Sequence, residues 1–150
     1  MNPVVTLPLG ANTITLTVSD GHTSATDTVV INVRYAFGGF LPPLTAGSRT
    51  TFRLGSVIPV KFHLSYASGA SATSAIARIT LQQYSGSDPV GVAVEGVSVS
   101  SADSGNLFRL NGDTYSFNLS TKLLSAGTYA IQAVLDDGTT QSIEIGLTSK

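Results

Sequence analysis

The chain has 150 residues, 42% of them hydrophobic and only 11% charged, with a net charge of −1, no cysteine and no tryptophan. That length holds one full-sized core, or one core and a piece of another, and Ser, Thr and Gly fill the place of the missing charge. Scattered Lys and Arg leave no basic footprint for nucleic acid and no polybasic membrane segment; without Cys there is no disulfide scaffold, thiolate metal site or thiol nucleophile.

No apolar run approaches the roughly 20 residues of a membrane span. The opening "MNPVVTLPLG" has neither the basic n-region nor the apolar core of a signal peptide, so any export signal is expected outside this chain. Short Val/Ile/Thr/Leu runs separated by Gly, Asp, Asn and Ser predict an all-β protein.

Along the chain, "LGANTITLTVSDGHTSATDTVVINV" at 9–33 reads as two alternating strands around Asp20-Gly21, a dipeptide suited to tight hairpins. Ile14, Leu16 and Val18 share one face, and Val29, Ile31 and Val33 share another. A similar pattern, "LSAGTYAIQAVLDDGTTQSIEIGL", recurs at 124–147 and ends a domain. By analogy the first hairpin ends one too. Since a lone hairpin is marginal in water, residues 1–34 are expected to be the tail of a preceding immunoglobulin-like module in a tandem protein. The alternative is that they are accessory strands of the main sandwich.

"RYAFGGFLPPLTAGS" at 34–48 is broken by Gly38-Gly39 and Pro42-Pro43. Its Tyr35, Phe37 and Phe40 predict that it packs down, as a first strand or as a seal. Strands follow at about 51–54, 57–66, 76–83, 90–99, 106–110, 114–119, 128–135 and 141–147, at the spacing of a sandwich or barrel. "GSVIPVKFHLSY" at 55–66 carries the sharpest alternation. Ile58, Val60, Phe62 and Leu64 form a core face; Pro59, Lys61 and His63 form a solvent face. Pro59 places the strand start or an edge, and Lys61 is expected to be exposed with its stem over its neighbours. "LNGDTY" at 110–115 is a hairpin signal.

Four stretches together carry a family resemblance: "YAFGGF" at 35–40, "LGSVIPVKFHL" at 54–64, "GDTYSFNLSTKLLSAGTY" at 112–129 and "DDGTTQSIEIGL" at 136–147. In this order they resemble the PxKF domain, named for the motif that stands here as Pro59-Val60-Lys61-Phe62. The similarity covers about 35–150 and is weakest at 67–105. It implies an immunoglobulin-like antiparallel β-sandwich near the C-terminal end of long secreted bacterial or archaeal proteins, downstream of other modules. Residues 7–33 in turn resemble the last two strands of a hyalin-repeat-like or PKD-like module. The family carries no catalytic residues over to this chain. "LLSAGTY" at 123–129 resembles a tyrosine corner, with Tyr129 in a structural role.

Chemistry finds little footing. His22 lies in a turn and His63 on a solvent face, and no G-x-S-x-G elbow exists. Asp136, Asp137 and Glu144 read as a turn and an outward strand position rather than paired acid/base carboxylates. Two distant histidines make no zinc site. Asp103, Asn106, Asn111 and Asp113 are weak candidates for loop-bound calcium, although turns use the same residues. A Lys61–Asn118 isopeptide bond beside Glu144 would need a dry site, which the alternation does not give. Asn118-Leu119-Ser120 matches a glycosylation sequon.

The expectation is therefore a non-catalytic spacer module of a secreted or cell-surface multidomain protein, without cofactor, whose partners are its neighbouring domains. The alternative is a carbohydrate- or protein-binding adhesion module. For that alternative, Tyr66 and Tyr84, near strand ends, are the weak ligand-binding candidates.

Overall fold

Burial along Val57–Ser65 (β5) alternates without a break. Ile58, Val60, Phe62 and Leu64 are buried, whereas Lys61 is exposed and His63 half-buried. The same period recurs along residues 114–117 and Thr140–Thr148. In a computed structural model, described here for residues 4–149, eleven strands build three sheets and no helix forms. Residues 1–3 of the expected N-terminal segment, and Lys150, lie outside the described residues.

Two sheets face each other across the core. One has the order β3 (Ala36–Phe40), β5, β9 (Thr114–Ser120), β8 (Arg109–Asn111). The other has the order β4 (Thr50–Arg53), β11 (Thr140–Thr148), β10 (Gly127–Leu135), β6 (Ala77–Ser85), β7 (Asp88–Glu95). All pairings are antiparallel except β4 with β11, which is parallel from Thr50 beside Ile145 to Arg53 beside Thr148. A first strand divided between two sheets, one half antiparallel to β5 and the other parallel to the last strand, gives an immunoglobulin-like sandwich. The aromatic segment after residue 34 thus supplies both β3 and, through Leu44, a fully buried plug.

The core centres on Phe62. Its ring stacks on Tyr115, directly across the β5–β9 ladder, at 5.3 Å and 9°. Phe108 meets it edge-on at 4.8 Å, and Phe37 and Phe40 close it from β3. Ile79, Leu81, Ile131, Ala133, Ile145 and Leu147 supply the opposing layer. The Tyr115 hydroxyl donates to the Ala72 carbonyl at 2.7 Å and accepts the Ala75 N–H at 3.0 Å, so the buried polar tip is satisfied. Burial pushes its pKa up.

Two expected strands are cut short by one device. The stretch 90–99 is not one strand. β7 ends at Glu95, Gly96 N–H bonds the Ile79 carbonyl, and Val97 then accepts from Ser120 N–H in the other sheet. A Cβ at Gly96 would stand 2.7 Å from Ile79 Cγ2, so only glycine fits where the chain leaves β6. The return at 106–110 is divided likewise: Phe108 N–H bonds Ala77 in one sheet, and β8 begins at Arg109 in the other.

The N-terminal hairpin, β1 (Gly10–Ser19) with β2 (Ser24–Val33), pairs only with itself. Asp20 Oδ1 accepts His22 N–H at 2.8 Å and Thr23 N–H at 2.7 Å, which shapes the turn and lowers the Asp20 pKa. Ile14 faces Val29 across the ladder, so the two apolar sets of the hairpin lie on one face and not on two, because directly opposed residues point the same way; Leu16, Val18 and Ile31 are exposed on it.

Truncating the centre of the core should separate the two sides of β5. Phe62→Ala is expected to cost about 3–5 kcal/mol, whereas Lys61→Ala should stay within about 0.5 kcal/mol. Urea unfolding of both variants measures this, and equal losses would contradict the packing described.

Candidate functional site

Lys61 and His63 project from the outer face of the β3–β5–β9–β8 sheet. His63 Nδ1 donates to the Asp113 carbonyl at 3.1 Å and lies 3.7 Å from Asp113 Oδ1; the His63 side chain is partly exposed and that of Asp113 more so. Pro59 sits opposite Asn118 and Lys61 opposite Ser116. Glu144 is exposed on β11, in the other sheet, so the core separates it from Lys61 and Asn118. Of the tetrapeptide Pro59–Phe62, Phe62 carries the packing and Lys61 the solvent face.

The weak calcium candidates do not converge. Asn111 and Asp113 are exposed at the β8–β9 turn. Asn106 is buried, accepts Arg78 Nη1 at 3.1 Å and donates to the Ile79 carbonyl at 3.5 Å. Asp103, expected as an open loop donor, is instead a buried anchor. Its side chain has 0% exposure, Oδ2 accepts Ser98 Oγ at 2.5 Å and Asn118 N–H at 3.2 Å, and Arg109 Nη1 stands 3.5 Å from Oδ1. That guanidinium occupies the side a cation would need. Among the described residues, no group of three or more His, Asp or Glu side chains is placed to hold a metal.

The tyrosines are likewise dispersed. Tyr66, half-buried beyond the end of β5, bonds Ser74 Oγ at 2.9 Å and packs on Tyr35 at 5.9 Å. Tyr84 lies near the far end of β6, paired with Thr128 and Pro89. Ser74 precedes β6 and Tyr84 is its eighth residue, so roughly 25 Å of strand separates the two rings. They form no common platform. Tyr129 is buried; its hydroxyl accepts Ser125 N–H at 3.3 Å and lies 3.0 Å from Ser125 Oγ, tying β10 to the connection before it.

Asp137 does more than the solvated turn position read from the sequence. It is buried, and its Oδ2 accepts Tyr35 N–H at 2.8 Å, at the point where the hairpin segment joins the sandwich. Its Oδ1 accepts Thr139 Oγ1 at 2.6 Å and Thr139 N–H at 2.9 Å. Burial works to raise its pKa, but these hydrogen bonds and the Arg34 charge outweigh it, and the carboxyl titrates below its ordinary value. Beside it the Tyr35 phenol is pushed up to about 12, first by burial and then by the Asp136 charge.

A cleft of about 710 Å³ lies on the side where the first strand changes sheets. Phe37 and Phe40 line one wall, Ser142–Glu144 the other, and Gly47–Arg49 the rim. Arg49 Nη1 donates to Thr128 Oγ1 at 3.2 Å. Sequence reading noticed Glu144 but missed Arg49 and the cleft. Nothing local in the sequence shows that β4 leaves part of β11 uncovered.

No family model matches the chain, and no curated protein does. Among solved structures, the chain is similar to a chimeric titin Z1Z2–Z1Z2 tandem functionalised with a GRGDS exogenous peptide from fibronectin, at 13% identity and a TM-score of 0.35. That match covers 93% of this chain, which spans 65% of the titin tandem's length.

Because the folded pKa of Asp137 is depressed, its stabilisation is present above the unfolded value near ~3.9 and is lost as pH falls through the folded value. Asp137→Asn should therefore cost about 1–2 kcal/mol at pH 7. The deficit relative to the parent should shrink steadily through the acid range. Chemical denaturation from pH 7 down to the acid limb tests this, and a deficit independent of pH would contradict it.

Proposed function

We propose that this chain is a non-catalytic, immunoglobulin-like spacer module of a secreted or cell-surface multidomain protein from a bacterium or archaeon. It supports neighbouring domains of a longer chain. The resemblance of residues 35–150 to the PxKF domain supports this reading, as do the low charge and the Ser/Thr-rich outer faces. The observation that carries it is the β4–β11 pairing. The strand near the start of the sandwich runs parallel to its last strand, from Thr50–Ile145 to Arg53–Thr148. Tension applied at the two ends of the domain pulls these strands in opposite directions along their length. Their hydrogen bonds are then loaded together in shear rather than opened one by one.

In the same reading, residues 1–34 belong to a preceding module. The β1–β2 sheet gains no strand from the sandwich, and Leu16, Val18 and Val29 lie exposed on or beside its apolar face, at 62%, 61% and 53%. A two-stranded sheet with that much apolar surface in water is incomplete by itself.

Single-molecule pulling tests the load path. Ladder donors alternate along β4, so one of Thr50→Pro and Thr51→Pro removes a donor from the clamp. That variant should unfold at clearly lower force, while Val92→Pro in β7, outside the load path, should not. Equal forces for all three would sink the spacer mechanism.

Deletion of residues 1–33 tests the domain division. The sandwich should melt within a few degrees of the full chain, because a loss of about 1 kcal/mol would already move a domain of this size by several degrees. A larger fall would assign the hairpin to the main core.

A further inference from the structure

β4 covers only Ile145–Thr148 of its neighbour, although β11 begins at Thr140. The chain that precedes β4 turns aside at Gly47, whose φ of +85° suits a residue without Cβ. No backbone hydrogen bond from the 41–49 segment reaches Thr140–Glu144 among the described residues. The outer edge of this half-strand is therefore open, and so is the outer edge of β3, which pairs with β5 alone. Both edges border the 710 Å³ cleft.

An open edge beside an apolar recess is the arrangement that accepts an added strand: main-chain bonds supply affinity and alternate side chains supply selectivity. The alternation of β11 specifies those side chains. Ile143 turns inward and packs with Phe37 and Phe40 against the core, whereas Ser142 and Glu144 turn outward. On a strand laid beside β11, the residue opposite Ile143 shares its face and enters the recess. The residue opposite Glu144 stands outside with the carboxylate. Glu144 is exposed and makes no ion pair within 4.0 Å among the described residues.

We propose that Thr140–Glu144 is a strand-addition site for an extended peptide segment of a partner protein, one that places an apolar residue over Phe37, Phe40 and Ile143 and a basic residue opposite Glu144. Strand pairing along the backbone edge favours a polypeptide over a saccharide, because the edge repeats its donors and acceptors at the spacing of another strand. The site lies beside the load-bearing β4–β11 pair without using it. A spacer can therefore bind through it and stay folded.

The probe is the short peptide TKVKT, with TEVET as its charge-reversed counterpart, titrated into the isotopically labelled full chain. TKVKT should shift the amide resonances of 140–144 and 37–40 in a saturable manner and bind more tightly than TEVET. Each well-placed cross-strand charge pair contributes about a two- to fivefold preference. Glu144→Lys alters an exposed residue that should leave the fold intact, and it should reverse the order of the two peptides. The proposal fails if neither peptide shifts the cleft. It fails equally if shifts appear elsewhere, or if the order is unchanged in Glu144→Lys. Saturable shifts of the same residues by cello- or chito-oligosaccharides, with none from either peptide, would make the cleft a glycan site instead. All these outcomes are independent of the pulling experiment.

Discussion

The structure depends on strict alternation along β5. With a period of two, one strand delivers Phe62 to the centre of an aromatic cluster and Lys61 to water, from adjacent positions. A slip of one residue would bury the ammonium and expose the ring, at a cost of several kcal/mol on each side. Register is thereby fixed for β9 through the Phe62–Tyr115 stack, and for β3 through Phe37 and Phe40. The remaining inner face, on β6, β10 and β11, is shaped to that cluster.

A core so dry makes its few buried polar groups specific in purpose. The Tyr115 hydroxyl, the Asp103 carboxylate and the Asp137 carboxylate each fasten a non-repetitive segment to a strand. Tyr115 holds 72–75, the approach to β6. Asp103 holds the crossing at 96–109 against β9 through Asn118 N–H, with Arg109 offsetting its charge. Asp137 holds the entry at Tyr35. The Tyr115 hydroxyl, Asp103 Oδ2 and both Asp137 oxygens are met by N–H or O–H donors, as a low-dielectric setting demands, whereas Asp103 Oδ1 has only the Arg109 guanidinium at 3.5 Å. The long excursion of the chain from one sheet to the other is held by the Asp103 carboxylate together with isolated backbone bonds to both sheets, rather than by a continuous ladder.

Much of this architecture is legible in the residues. The two Asp-Gly turns, the Asn111-Gly112 turn and the alternation at 58–64 each encode local geometry, and each lies where it was expected. The crossing was also written in the sequence, though as a change of phase. Valines stand at 90, 92 and 94 and then at 97 and 99, so the alternation slips by one at Glu95-Gly96, where the chain changes sheets. What escaped sequence reading is what depends on long separations. Asp137 pairs with a backbone N–H 102 positions away. Asp103 is no more unusual in sequence than any turn Asp until Asn118 and Arg109 are brought to it. The recess beside Glu144 exists only because β4 and β11 overlap in part.

That partial overlap places the proposed load path and the proposed strand-addition site in one strand. β11 is paired with β10 from Thr140 to Leu147, yet on its other side only Ile145–Thr148 is covered. In the proposed spacer the covered half would bear tension, because β4 runs parallel to it. The open half keeps its main-chain groups available because the chain turns at Gly47 before reaching it. Lengthening β4 backward would strengthen the clamp and close the cleft at once; shortening it would widen the cleft and weaken the clamp. If both proposals hold, the position at which β4 begins sets the balance between resistance to load and capacity to take on another strand. Gly47, whose backbone conformation other residues seldom adopt, fixes that position.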